Sequence, residues 1–284
     1  MPESQSPRPG QIELRTLGAV DLKSRAGTEL RAVLQQPKRL ALLVYLTLAN
    51  PGKLQRRDSL LGLFWPDLDQ EHARAALRRA LYFLRQACGE ALLIGRGDEE
   101  IGADPARIWC DALAFEALIE RGELGAGLTL YGGHLLEGFY VASAPEVETW
   151  LDRERARLRE LAAGAAWRLA SEQRDDSAAA ILWARKGLAL APTGEDALRL
   201  FLSDLDQRGD RIGAIRLYED FACRLRTDFA VEPSRPTVEL MRELRRRATP
   251  DRAVVEPSAG DRPVVVVTPF SVRGDAAHAY LREG

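Results

Sequence analysis

A repeat with a period of 34 residues constrains the fold of this chain more than any other sequence feature. The segments RDDSAAAILWARK and RGDRIGAIRLYED align so that Asp176 matches Asp210 and Ala180 matches Ala214, an offset of 34 residues in each case. A unit of this length cannot bury its apolar face alone and stacks on neighbouring units of the same kind. The repeat therefore predicts paired helices, and the chain from residue 111 onwards reads as almost entirely helical.

Helix pairs that repeat every 34 residues are typical of tetratricopeptide domains. We therefore expect an α-helical domain of tetratricopeptide type in the second half of the chain. The length of 284 residues favours two domains, and a hydrophobic content of 46% is that of ordinary globular proteins. The fold class predicted for the whole chain is mainly α with a small β component.

The order of elements in the first hundred residues predicts a winged helix-turn-helix. Short strands are expected between residues 12 and 22, and helices over residues 37–48, about 57–65 and about 70–87. A hairpin with a glycine-rich turn follows over residues 92–103. In a winged helix of this order the third helix enters the major groove of DNA.

The third helix carries a concentrated basic surface. At about 100° per residue, its apolar side chains fall in one stripe, which comprises Ala73, Leu77, Ala80, Leu81, Leu84 and Cys88. Three arginines share one outward arc, with a tyrosine beside it and a fourth arginine behind: Arg74, Arg78 and Arg85, then Tyr82 and Arg79. Arginine forks to guanine or clamps a phosphate. The alternative is a solvated basic face, in which Glu71 pairs with Arg74 or Arg78.

Three further basic residues are candidates for contact with the DNA backbone. Lys38 opens the first helix and Arg57 lies at the turn into the second, and helix starts suit phosphate contacts. For each of them a solvated helix end is an equal alternative. Arg96 is the single basic residue of the hairpin and is followed by Asp98, Glu99 and Glu100. These acids either point away from DNA or leave the hairpin with little part in binding.

Several segments resemble a known family of regulators. IELRTLG, PKRLALLVYLTLA, SLLGLFWPD and ARAALRRALYFLRQACG resemble the DNA-binding domain of the streptomycete antibiotic regulatory protein (SARP) family. DALAFEALIERG, GLTLYGGHLLEGF, WLDRERARLREL and AVEPSRPTVELMREL resemble the bacterial transcriptional activator domain that follows it in that family. The two resemblances cover residues 12–247. The tail RPVVVVTPFSVRGDAAHAYLREG resembles the opening of a TolB-like domain.

The resemblance implies a transcriptional regulator, and an activator by its second domain. Such a protein binds double-stranded promoter DNA, often at direct repeats, where it is expected as a homodimer. The helical domain is expected to contact RNA polymerase or another protein. The resemblance also assigns DNA reading to the third helix, through Arg74, Arg78, Tyr82 and Arg85.

These observations divide the chain into five parts. We expect a disordered N-terminus at 1–11, a winged helix at 12–105, the activator domain at 106–247, a linker at 248–262, and the first strand of an incomplete TolB-like domain at 263–284.

Composition and motifs favour a regulator over an enzyme. The formal net charge of −2 requires any DNA-binding surface to be local. Three cysteines without C-x-x-C spacing, and an N-terminus without an apolar core, favour a reduced cytoplasmic protein without a membrane span. The three histidines are scattered, and no G-x-G-x-x-G, G-x-x-x-x-G-K-[ST] or G-x-S-x-G motif occurs, so we expect no metal, cofactor or catalysis.

Two other functions stay open. The first is a tetratricopeptide-type signalling adaptor whose winged helix does not bind DNA, which the low net charge and the acidic hairpin favour. The second is the sensory front end of a larger enzyme or receptor, which the TolB-like tail favours.

Overall fold

The computed structural model describes residues 6–248, and the side chains of residues 6–247. Residues 12–110 contain two small sheets and four helices. β1 (Ile12–Arg15) pairs antiparallel with β2 (Asp21–Lys23) and parallel with β6 (Ile108–Cys110). In the second sheet β5 (Glu100–Ala103) lies between β3 (Gln55–Arg56) and β4 (Leu93–Arg96). We call the β4–β5 hairpin the wing.

Three of the four helices in this part lie close to the bounds that their start and stop signals predict. α1 (Arg31–Leu34) is a single turn that the sequence pattern does not mark, and α2 (Pro37–Leu48) begins at its proline. α3 (Arg57–Phe64) ends before Trp65-Pro66, and α4 (Gln70–Cys88) ends at Gly89. The Asp69 side chain caps α4 by accepting a hydrogen bond from the His72 N–H at 3.0 Å.

Seven helices follow. Their bounds are α5 (Asp111–Glu120), α6 (Leu124–Leu130), α7 (Pro145–Glu172), α8 (Ser177–Leu190), α9 (Glu195–Gln207), α10 (Arg211–Phe229) and α11 (Arg235–Ala248). With two small sheets among residues 6–248, this confirms the expected fold class, mainly α with a small β component.

The 34-residue repeat has a direct structural meaning. Asp176 caps α8 by accepting from the Ala179 N–H at 2.9 Å, and Asp210 caps α10 by accepting from the Gly213 N–H at 2.9 Å. Ala180 and Ala214, one turn further on, are both completely buried. The matched residues thus start equivalent helices and bring them close to their neighbours.

A buried carboxylate joins the first sheet to the helical part. Asp111, the first residue of α5, accepts hydrogen bonds from the Thr16 N–H and hydroxyl, both at 2.8 Å, and from the Leu17 N–H at 2.9 Å. On the other side of the same turn, the Leu136 N–H donates to the Thr16 carbonyl at 2.7 Å. We call this cluster the Asp111 junction. Burial raises the pKa of Asp111, and these hydrogen bonds oppose that shift.

The boundary between the two hydrophobic cores differs from the domain boundary expected from the sequence. One cluster of buried residues runs from Ile12 to Ala166 and includes the winged helix, α5, α6 and much of α7. A second runs from Ala170 to Leu244 and holds the end of α7 with α8 to α11. The boundary expected between residues 105 and 106 falls between β5 and β6, two strands that lie inside the first cluster.

Most residues of the segments expected at the two termini lie outside the residues that the structure describes. Residues 1–5 of the N-terminal segment, residues 249–262 of the linker and the whole TolB-like segment 263–284 lie outside the described residues. Within residues 6–11, the Arg8 N–H donates to the Gln11 side chain at 2.8 Å, and the Gln11 amide donates to the Ala106 carbonyl at 3.4 Å.

Candidate nucleic-acid interface

α4 presents the two faces that its periodicity predicts. Its buried residues are Ala73, Leu77, Ala80, Leu81, Leu84 and Cys88, the set expected from the sequence. On the opposite side Arg74, Arg78 and Arg79 are exposed, and Tyr82 has 66% of its surface exposed. Arg85 is half-buried near the end of the helix.

A groove of about 630 Å³ separates α4 from the start of α3 and the wing. Its basic lining residues are Arg56, Arg57, Arg74 and Arg78, and its acidic ones are Asp58, Glu71, Asp98 and Glu99. We call it the α3–α4–wing groove. It brings together three of the arginines predicted from the sequence, Arg57, Arg74 and Arg78, and its four arginines face an equal number of carboxylates.

Carboxylates of the same surface pair with four of the nominated arginines. Across the groove, Arg57 lies 3.7 Å from Asp98 and Arg74 lies 3.6 Å from Asp58. Arg85 lies 3.9 Å from Glu90 at the end of α4, and Arg96 lies 3.4 Å from Glu100 within the wing. The partner of Arg74 is therefore Asp58, where the sequence suggested Glu71.

Arg78 and Arg79 differ from these four arginines. Within residues 6–247 neither has an ion pair or a hydrogen-bond partner, and both side chains project from the exposed face of α4. Their guanidinium groups are available to an external anion without the loss of an internal contact.

Arg57 is the residue through which the wing and α3 meet. Its backbone N–H donates to the Glu99 carbonyl at 2.8 Å, so the start of α3 is fixed to the wing turn. Its side chain is 21% exposed, and its Nε is buried without a hydrogen-bond partner among the described residues. The guanidinium thus lines the groove while its Nε has no hydrogen-bond acceptor among the described residues.

Lys38 does not join the other nominated residues. Its ammonium donates to the Ser143 carbonyl at 3.4 Å and lies 5.9 Å from the centre of the Trp65 ring. Burial lowers the pKa of this ammonium. The loop before α7 therefore engages a side chain that the sequence places at an open helix start.

Sequence reasoning missed the acidic half of the groove. Asp58 occupies the first turn of α3, where a carboxylate ordinarily stabilises the helix dipole, so its sequence position gave no sign of contact with Arg74. For Asp98 the sequence predicts only that it points away from DNA or leaves the wing with little part in binding, and it gives no sign of the pairing with Arg57. The groove also contains Arg56, a basic residue at the turn into α3 beside the predicted residue Arg57, and its position in the sequence favours phosphate contact as much as that of Arg57.

Other kinds of site find no support among the described residues. No group of three His, Cys, Asp or Glu side chains within residues 6–247 is placed to hold a metal ion. No helix in that part of the chain combines the length and apolar character needed to cross a bilayer.

Comparison with known proteins identifies the second half of the chain. Residues 110–245 match the family model for the bacterial transcriptional activator domain, and a winged helix precedes that match directly. Through residues 110–245 the chain is similar to SARP-like transcriptional regulators. The match begins at the last residue of β6 and ends within α11.

The fold of the regulator is also that of a solved protein. The structure of Mycobacterium tuberculosis EmbR in complex with a low-affinity phosphopeptide is 18% identical and has a TM-score of 0.57. The similarity covers 84% of the regulator and 65% of the EmbR chain, so the regulator spans about two thirds of that protein. No curated protein matched the sequence.

Proposed function

We propose that the regulator binds promoter DNA in a sequence-specific manner, with α4 in the major groove. The observation that carries this proposal is the exposed face of α4, where Arg78, Arg79 and Tyr82 lie opposite the buried stripe. Arg78 donates two hydrogen bonds to the O6 and N7 acceptors of a guanine, a pairing that its planar fork suits. Arg79 and Tyr82 contact phosphates on either side of the groove.

The flanking arginines position the protein on the duplex. Arg57 at the start of α3, Arg74 on the first turns of α4, Arg85 near its end and Arg96 in the wing are assigned to phosphate contacts. Lys38 stays outside this set because its ammonium contacts Ser143 and Trp65.

The regulator acts as an activator through its helical domain, which binds RNA polymerase or another protein, and it occupies repeated sites as a homodimer. A groove of about 540 Å³ between α8 and α10 supports protein contact in this part. Leu182 and Ile212 line it, and each has 66% of its surface exposed. Exposed apolar side chains that share one groove are typical of protein-binding surfaces.

A mobility-shift assay on genomic fragments tests the proposed function. We expect the full chain to retard a subset of fragments, with an affinity that falls steeply as salt rises, because each arginine–phosphate contact releases counterions from DNA. A protein that shifts no fragment even at low salt contradicts the proposal and favours the adaptor function, which the balanced charge of the α3–α4–wing groove also favours.

The variant Arg78→Ala tests the assigned base contact. Loss of one forked arginine–guanine contact should cost about 1–3 kcal/mol of discrimination between the operator and random DNA. The thermal melt should stay unchanged, since Arg78 is exposed and has no partner among residues 6–247. Arg153→Ala, an exposed arginine on α7, is the matched control and should bind as the parent does. A folded Arg78→Ala protein with unchanged discrimination removes Arg78 from the interface.

A further inference from the structure

The α3–α4–wing groove has no net charge, which is unusual for a surface that faces DNA. Four arginines and four carboxylates line it. Most of the affinity of proteins for DNA of random sequence comes from basic side chains that neutralise phosphates. A groove with as many carboxylates as arginines therefore attracts a duplex weakly.

Two of these carboxylates contact arginines on other elements of the interface. Asp58 on α3 lies 3.6 Å from Arg74 on α4, and Asp98 in the wing turn lies 3.7 Å from Arg57 at the start of α3. The pairs connect the three elements that approach the duplex together. They are contacts between elements, whereas the pair between Arg96 and Glu100 lies within one hairpin.

Both acidic side chains are well placed to leave their arginines. The Asp58 side chain is 65% exposed and that of Asp98 is fully exposed, so each carboxylate stays hydrated when its ion pair breaks. Ion pairs at exposed sites are weak. A phosphate that enters the groove offers the same guanidinium groups another anionic acceptor that can take two hydrogen bonds from one arginine.

We propose that Asp58 and Asp98 are the affinity-limiting residues of the DNA interface, because they compete with backbone phosphates for Arg74 and Arg57. This inference rests on the proposed DNA-binding function. DNA binding is then an exchange of partners: two carboxylate–arginine pairs open as two phosphate–arginine contacts form. In the free protein Arg78 and Arg79 are the arginines of the α4 face without such a competitor among residues 6–247.

The exchange has a measurable consequence for salt dependence. Each phosphate that a cation neutralises adds about 0.9 to the slope of log K against log salt concentration. Removal of the internal competitors should let both arginines contribute fully to binding. We expect the double variant Asp58→Asn/Asp98→Asn to have a slope steeper by between one and two, and to bind a random-sequence duplex about tenfold more tightly at 0.1 M salt.

The control has the same change in charge at another place. Asp175→Asn/Asp228→Asn alters two exposed aspartates of the helical part that do not line the groove. In both double variants the net charge of the protein rises by two units. Fluorescence anisotropy with the full chain and a labelled random-sequence duplex, from 0.05 to 0.2 M salt, compares them with the parent, and circular dichroism checks that each is folded. An equal gain in the control overturns the proposal, because net charge alone then explains the effect.

Removal of the arginines completes a double-mutant cycle for each pair. With Arg57→Ala, the substitution Asp98→Asn should no longer tighten binding, and with Arg74→Ala the same holds for Asp58→Asn. If the substitution of an aspartate still tightens DNA binding after its arginine has been removed, the proposal is overturned. It is also overturned if the double variant Asp58→Asn/Asp98→Asn, the groove variant, binds DNA with the affinity of the parent. If the parent binds DNA and the groove variant equals it, only this inference fails. If no protein of the series binds DNA, the proposed function fails with it.

Discussion

Asp111 shows how one side chain connects two parts of the regulator. Only 3% of the residue is exposed, and both carboxylate oxygens accept hydrogen bonds from the turn that follows β1. A carboxylate is the single common side chain group that accepts on two oxygens and donates on neither when ionised. The Thr16 and Leu17 N–H groups, which face it, have no water to bind at this depth. The Asp111 junction thus depends on the charged, acceptor-only character of one residue.

Asp111→Asn should destabilise the protein. One carboxamide atom of asparagine is a donor, so it faces either the Thr16 N–H or the Leu17 N–H, and two buried donors are left unsatisfied. We expect a loss of about 1–3 kcal/mol in the free energy of unfolding, measured by urea denaturation. Asp228→Asn, at an exposed position, should stay within about 0.5 kcal/mol of the parent. Equal stabilities of the two variants contradict the role given to Asp111.

The wing keeps its position through close backbone contact. A Cβ atom at Gly102 on β5 would lie 2.9 Å from the Lys53 carbonyl oxygen and 3.1 Å from Leu54 Cδ2. β5 also pairs with β3 at Ile101 and Glu100, so this strand of the hairpin is held against residues 55–56. This arrangement places Asp98 at the wing turn near Arg57.

Substitutions at two glycines separate wing contact from general flexibility. Gly102→Ala should cost about 1–3 kcal/mol in the free energy of unfolding, because the added methyl group forces the wing away from residues 53–54. Gly62→Ala, within α3, meets no atom within 4 Å and should stabilise the protein by about 0.5–1 kcal/mol. Thermal melts of the two variants should shift in opposite directions. A Gly102→Ala protein as stable as the parent means that the wing is not held by this contact.

The elements that could be predicted from sequence are those with local signals. Pro37, Pro66 and Gly89 mark helix ends, and the apolar stripe of α4 is visible in its spacing alone. β6 has no such signal, because three consecutive apolar residues do not alternate and their partner strand lies nearly a hundred residues earlier. The same holds for the site: the arginines of α4 are periodic, whereas the pairing of Arg57 with Asp98 exists only once the wing has packed on α3.

At the scale of the molecule, the winged helix and the start of the activator domain form one body. Their buried residues belong to a single cluster from Ile12 to Ala166. Tyr45 of α2 packs edge-on against Trp150 of α7, with ring centres 4.8 Å apart. The transition between the two cores lies in α7, between Ala166 and Ala170.

Native-state hydrogen exchange should reveal this division. Because cooperative units share one core, the slowest amides of α4 and α5 should open with a common free energy, although they belong to different domains by sequence. The amides of α9 and α10 should form a separate group. If the amides of α5 stay protected from exchange after those of α4 have exchanged, the two helices do not share one core.

The parallel pairing of β6 with β1 also determines which boundaries can be used to build chimeric proteins from this chain. A cassette that ends at residue 105 leaves behind the third strand of the first sheet, together with the carboxylate that binds Thr16 and Leu17. We therefore expect that transfer of the α4 surface to another protein requires residues 12–136 together, which keep the β6 pairing and the contacts of Thr16 with Asp111 and Leu136. The heritable unit of this surface is therefore larger than the winged helix that displays it.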